Sequence, residues 1–202
     1  MTQVRFAKFM LTWTIMKMPR AYTQAARAES VAATRQRIVE ATVTAFGEPP
    51  EVTLADVAAR AEVTVQTVLR HFGNREALIA EAMSALAAER ASPAGDPSRA
   101  IRALYDQYER RGDANIRLLG KEDAEPHVKC LMDRGRAMHR EWVEQVFAPA
   151  LDGRPAAERD VLLDLLVVAT DVYTWKLLRR DRGLSRRLAE SRVRQLVERI
   201  LR

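Results

Sequence analysis

Thr53-Leu-Ala-Asp-Val-Ala-Ala-Arg-Ala-Glu-Val-Thr-Val-Gln-Thr-Val-Leu-Arg-His-Phe72 (TLADVAARAEVTVQTVLRHF) reads as two short amphipathic helices separated by Ala61-Glu62-Val63. The Thr53 hydroxyl suits an N-cap, and Asp56, three residues on, can reach back to the cap as a short capping box. Leu54, Val57 and Ala58 give the first helix an apolar face. Thr64 is a second capping residue, and the helix after it carries Val68, Leu69 and Phe72 inward. Two short helices joined by a three- or four-residue turn make a helix-turn-helix, with Val63 filling the corner. Val57, Val68 and Phe72 would then pack the pair onto Phe46. In such a pair the N-terminal end of the second helix enters the major groove of DNA. Here that end is Thr64, Val65, Gln66 and Thr67. Gln66 can bond an adenine edge twice, Thr67 can bond a base or a phosphate, and Val65 can touch a thymine methyl.

Upstream, Ile38, Thr42, Ala45 and Phe46 form a helical stripe that stops near Gly47 and Pro49-Pro50. Pro19 to Thr34 is rich in Ala, Arg and Gln with little apolar patterning, and it reads as a flexible arm. Met1 to Lys17 reads as a leader, either disordered or an artificial extension, with Met18 as a candidate start. Its short apolar run lacks the small-residue cleavage site of a secretory signal. Downstream, Gly73-Asn74 breaks the second helix, and Asn74 caps a longer one whose buried side is Leu78, Ile79, Met83 and Leu86.

Ala91–Ser98 (ASPAGDPS) has two Pro, a Gly and no bulky apolar residue, and marks the best internal boundary. The expected domains are an arm over 1–33, a helix-turn-helix domain over 34–90 and a second helical domain over 91–202. In the last, the patterning predicts breaks at Gly112-Asp113 and Pro149–Pro155, then two helices over about 156–181 and 184–201. Val161 to Val168 is apolar nearly all round, which in a small protein implies a partner helix from another subunit.

Composition agrees with an all-α fold. Of 202 residues, 48% are hydrophobic and only 6% aromatic, with 8 Gly and 8 Pro. The formal charge of +6 suits a polyanionic partner without demanding one. Cys130 stands alone, so no internal disulfide is possible and a reducing cytoplasm fits. His71, His127 and His139 are too scattered for a metal motif, and neither a metal nor a cofactor is expected. No apolar run approaches the roughly 18 residues that would cross a membrane. Candidate catalytic pairs, Glu109 with Asp113 and Cys130 with His127, lack any recognised spacing, so an enzyme is not expected. A third reading is an interaction protein whose motif no longer binds DNA.

From about Thr34 to Met83 the chain resembles the tetracycline-repressor (TetR) family of bacterial regulators. The resemblance rests on RQRIVEATVTAF, TLADVAARAEVTVQTVLRHF and GNREAL taken together. It implies that Thr53, Gln66, Thr67, His71 and Arg75 contact double-stranded DNA, His71 and Arg75 through phosphates. The chain departs from the family pattern at Glu62 and Gln66, where Gly is common, and at Leu69, where a phosphate-contacting Tyr is frequent. Arg75 stands where Lys is common. The motif itself is not basic, so Arg20, Arg27, Arg35 and Arg37 are expected to add electrostatic attraction from the arm.

The resemblance further implies a repressor released from a pseudo-palindromic operator by a small-molecule effector. Tyr105, Tyr108, Leu118, Met132, Met138, His139, Trp142 and Phe147 suit an apolar effector pocket with Arg117 as another polar contact, and suit an ordinary core better. His139 fits a surface or hydrogen-bonded histidine better than a sensor. A homodimer is expected through the last two helices, with Leu162, Leu165, Leu166, Ala169, Tyr173, Leu188, Val193, Leu196, Val197 and Ile200 forming a four-helix bundle across a two-fold axis. Arg179, Arg180, Arg182, Arg186 and Arg187 read as a solvated face.

Overall fold

The computed structural model describes residues 20–46, 53–91 and 95–202, with side chains from residue 27 onward. The leader lies outside the described residues, as do positions 47–52 and 92–94. The described residues fall into two units divided between Gln36 and Arg37. In the first, the described residues belong to one helix, α1 (Arg20–Ala45), whose last turns continue into the second unit. The stretch read as a flexible arm is therefore helical from Arg20. Its Ala, Arg, Gln and Glu content has the propensity for this even without an apolar stripe.

In the second unit, Ile38, Val39, Ala41, Val43 and Ala45 of α1 are buried. Their partners are α2 (Leu54–Arg60), α3 (Val65–Phe72) and α4 (Arg75–Ala88). Val57, Ala58, Val68, Phe72, Leu78 and Ala82 complete this small core, with Phe46 and Val63 packed at its edge.

The rest is helical too: α5 (Pro97–Leu119), α6 (Pro126–Val146), α7 (Ala148–Leu151), α8 (Ala156–Thr170), α9 (Val172–Lys176), a π-helical turn Leu177–Asp181, and α10 (Arg186–Ile200). No strand occurs among the described residues. Leu104, Tyr105, Val143, Phe147, Leu163, Leu166 and Trp175 lie at the centre of this second core.

Two expected boundaries fall elsewhere. Helix α5 runs straight through Gly112-Asp113. Gly112 is there for space: a Cβ on it would stand 2.4 and 2.5 Å from ring atoms of Trp175. Gly112→Ala should therefore cost about 1–3 kcal/mol by overpacking, more than the roughly 1 kcal/mol that alanine returns in helix propensity. A thermal melt at or above the parent's would contradict this. The helix expected over 156–181 instead stops at Thr170. The Thr170 hydroxyl donates back to the Leu166 carbonyl (2.7 Å), and Asp171 is extended, its carboxylate accepting the Tyr173 N–H (2.8 Å) as the cap of α9.

The arginines read as a solvated face are largely engaged. Arg179 forms a two-pronged pair with Glu109 (2.6 and 2.7 Å) and also donates to the Leu184 carbonyl. Arg180 pairs the same way with Asp113 (2.8 and 2.9 Å), and Arg186 bonds Asp106. All three acids lie on α5, so these pairs tie the C-terminal helices to it. Glu109 and Asp113, considered above as a catalytic pair, are held below the usual carboxylate range chiefly by the arginine bonded to each.

Helix α8 does not bury every side. Leu162, Leu163, Leu166 and Ala169 face the chain's own core, whereas Val161 (61% exposed), Leu165 and Val168 (64% exposed) face outward. On α10, Val193 and Val197 are likewise internal, while Leu188 and Leu196 are exposed. Of the residues expected to pair two subunits, Leu162, Leu166, Ala169, Val193 and Val197 are thus already used within one chain, and Ile200 packs at the edge of that core.

Candidate nucleic-acid interface

The local geometry of the helix-turn-helix follows from its caps. Thr53 Oγ1 accepts the Asp56 N–H (3.1 Å), and the Thr53 N–H donates to Asp56 Oδ2 (2.9 Å), closing the capping box. The Thr53 hydroxyl proton also goes to Asp56 (2.6 Å). That hydroxyl is therefore occupied, and a phosphate contact from it requires leaving Asp56. The bonds from Thr53 hold the Asp56 carboxyl below its ordinary range, which keeps a negative charge at this helix start.

Helix α2 ends in a Schellman turn: Val63 N–H bonds the Ala58 carbonyl (2.9 Å) and Glu62 N–H the Ala59 carbonyl (3.2 Å). Glu62 sits at the turn's left-handed position, φ +55°. A side chain is tolerated there, at a cost that Gly would avoid. Its reward is placement of Val63 against the small core.

Thr64 caps α3 by accepting the Thr67 N–H (3.1 Å), and the two hydroxyls lie 3.0 Å apart. Val65 and Gln66 are exposed on the first turn and Thr67 is half-buried; Val68 and Phe72 point the other way, into the core. Leu69, expected inward, is exposed on the same side as Val65 and Gln66. His71 and Arg75 are half-buried, His71 with its ring 6.2 Å from Phe72. Gly73, at φ +81°, reverses the chain so that Asn74 caps α4 by accepting the Ala77 N–H (2.8 Å). The outcome is a rigidly capped α3 presenting Val65, Gln66 and Leu69, with the Thr64 and Thr67 hydroxyls beside them.

A second site lies where α1 and α4 meet the larger helical core. A cavity of about 310 Å³ is lined by Phe46, Met83 and Arg90 on one side and by parts of α5, α6 and Asp171–Tyr173 on the other. Of the residues singled out for a pocket, Tyr108, Leu118, Met132, Met138 and His139 line it; Tyr105, Trp142, Phe147 and Arg117 do not. Tyr105 and Phe147 belong to the buried core. Trp142 backs the wall, stacked on His139 at 5.6 Å and donating its indole N–H to the Arg90 carbonyl (3.1 Å).

His139 is buried. Thr170 gives its hydroxyl proton to Leu166, so it accepts from His139 Nε2 (3.1 Å), which leaves Nδ1 to accept from Arg90 Nη1 (3.5 Å). Burial, then the neighbouring Arg90 charge, pull its pKa down from 6.5 to about 4. The folded chain therefore holds this imidazole neutral while the unfolded chain protonates it near pH 6.5. Stability supplied by neutral His139 is complete above pH 6.5 and is lost as pH falls towards 4, about 3 kcal/mol in all. Denaturant melts from pH 7 to 4 should show this slope in the parent and not in His139→Gln; parallel curves would contradict it. Arg90 is the member of this cluster that no motif or periodicity singles out.

No group of three His, Cys, Asp or Glu among the described residues is placed to hold a metal, and no helix among them is long and apolar enough to cross a membrane.

Residues 38–82 match the family of bacterial regulatory proteins named tetR. No curated protein matches the chain. A solved structure of a transcriptional regulator from Rhodococcus sp. Rha1 shares the fold: 20% identity, TM-score 0.53, covering 83% of this chain and 95% of that one. The match spans the small core of α1–α4 and the capped α3 that projects from it, so this segment, and not the whole chain, is similar to the bacterial regulatory proteins of the tetR family.

Proposed function

We propose that the protein is a homodimeric cytoplasmic repressor that leaves its operator when a small molecule fills the cavity at the α1/α4 junction. The observation that carries the DNA part is the exposed first turn of α3, with Val65 and Gln66 outward on a helix fixed at both ends. Gln66 and Thr67 act as the base-reading pair and Val65 supplies a methyl contact. His71 and Arg75 grip phosphates, and the basic residues of α1 (Arg27, Arg35, Arg37) add non-specific attraction.

Dimerisation is supported by the outward stripe Val161, Leu165 and Val168 on α8 and by the exposed Leu188 and Leu196 on α10, a helix that packs against α8. Exposed apolar side chains at helical spacing suit a partner surface, and a two-fold axis would let the same stripe meet itself. Such a dimer places two α3 helices about one DNA turn apart on an inverted repeat.

Release is supported by the cavity's position. Its walls include Phe46 after α1 and Met83 and Leu86 of α4, elements that also pack the helix-turn-helix. A ligand that prefers one placement of α4 against α5 and α6 biases the spacing of the reading heads by its differential affinity. The test is a thermal-shift screen of small molecules followed by operator-release titration of the hits. Hits that stabilise the protein and lower DNA affinity are expected; hits that stabilise it and leave DNA affinity unchanged would overturn the release mechanism.

A further inference from the structure

The cavity's charge is unbalanced, and the imbalance centres on one residue. Four arginines and one acid line it: Arg90, Arg110, Arg111, Arg136 and Asp171. Arg110 and Arg111 both reach Glu89 (2.8 and 2.7 Å), and Arg136 reaches Glu122 (2.8 Å) and Asp133. Arg90 is 7% exposed and has no carboxylate partner among the described residues. Its Nη1 meets only the neutral His139, its Nε lies buried with no hydrogen-bond partner, and its guanidinium sits 5.5 Å from the Trp142 ring centre. Asp171 does not balance it, being engaged as the cap of α9 through the Tyr173 N–H.

A buried guanidinium left without an anion is costly, and such groups in proteins are ordinarily paired. The remaining walls are mostly apolar, among them Met83, Leu118, Met132, Met138 and Val172, with Thr44, Gln107 and Asn115 as neutral polar groups. We infer that the cavity takes a small apolar monocarboxylic acid, with its carboxylate on Arg90 and its hydrocarbon or aromatic body against the methionines and leucines.

This rests on the reading of the cavity as the effector site. The planar fork of arginine matches a carboxylate in two places, and a single unpaired guanidinium balances one negative charge. A phosphate dianion would ask for a second cation without a carboxylate, and Arg110, Arg111 and Arg136 are each held by one. An ammonium head would be repelled, and a neutral head would leave Arg90 as it was. The volume, about 310 Å³, lies at the lower end of small-molecule pockets, so the acid is compact.

The experiment is calorimetric titration of the full chain with decanoate and 4-phenylbutyrate, each beside its primary amide and its primary amine. The acids are expected to bind about tenfold or more tighter than the amides, with the amines weakest. In Arg90→Met, which keeps the length of the stem, acid affinity should fall to that of the amide while amide affinity stays. Arg90→Gln serves the same comparison should Arg90→Met not fold, and the acid–amide contrast in the parent needs no variant. Equal binding of acid and amide, or an acid preference that survives loss of Arg90, overturns the monocarboxylate and leaves the cavity as an effector site. Binding of none of the six probes overturns both.

Discussion

Leu165→Glu combined with Val168→Glu should turn the proposed dimer into a monomer without unfolding the chain. Both side chains are exposed in the single chain, so the charges meet water there and the core of Leu162, Leu163 and Leu166 is untouched. Across a two-fold interface the same charges would face their own copies in a desolvated stripe, where like charges repel and burial penalises each. Linked half-sites gain about 10² to 10⁴ in affinity from effective concentration, and a monomer forfeits it. Sedimentation should report the smaller species, circular dichroism an unchanged helix content, and fluorescence anisotropy an operator affinity lower by that factor. A variant that remains dimeric would place the interface elsewhere.

Trp175→Ala should cost about 3–5 kcal/mol, a large fraction of the stability of a domain this size. The indole is 1% exposed and joins three elements. Its ring lies over the bare Gly112 of α5 and 6.0 Å from Tyr108, Arg180 stands 4.6 Å from its centre, and its N–H donates to Glu109 (2.9 Å). Removing it opens a cavity between α5 and α9 and unseats Arg180, while Glu109 keeps its bonds to Arg179. Denaturant unfolding measures the loss, which is expected in the C-terminal core and not in the core of Ile38, Val68 and Leu78. A cost below about 1 kcal/mol would contradict the central place given to this side chain.

The paired behaviour of Gly112 and Trp175 also explains what the sequence hid. A glycine in a helical pattern reads as a break, because its commonest role is to end or bend a helix. Here its role is steric and its partner lies 63 residues away, a relation that periodicity does not carry. The helix-turn-helix was legible because its signals are local: Thr53 with Asp56, Thr64 with Thr67, and Asn74 with Ala77 are each three residues apart. Glu62 was legible as a departure from the common Gly of the turn, and it takes the left-handed conformation that Gly would otherwise supply.

The long-range chemistry was not legible. Arg90 looks like any charged residue at a helix end, and only packing of α6 over α4 makes it a buried cation beside His139. The apolar run Val161–Val168 announced surplus hydrophobicity correctly. Which of its residues face inward depends on where α10 docks, so the expected pairing set mixed core with surface.

The central claim, a regulator that reads bases through α3, is tested most directly by selecting random duplex DNA on the full-length protein and titrating the enriched sequence against the parent and a Gln66→Ala, Thr67→Ala variant. Thr67→Ala removes the hydroxyl contact with Thr64 but keeps the cap itself, since the bond that Thr64 accepts comes from the backbone N–H of residue 67. Enrichment of an inverted repeat with half-site centres about 10 base pairs apart is expected, with salt-sensitive binding. The variant should lose about 10- to 100-fold on that sequence and little on unrelated DNA. Absence of any enriched sequence, or equal binding of parent and variant to it, would contradict the account.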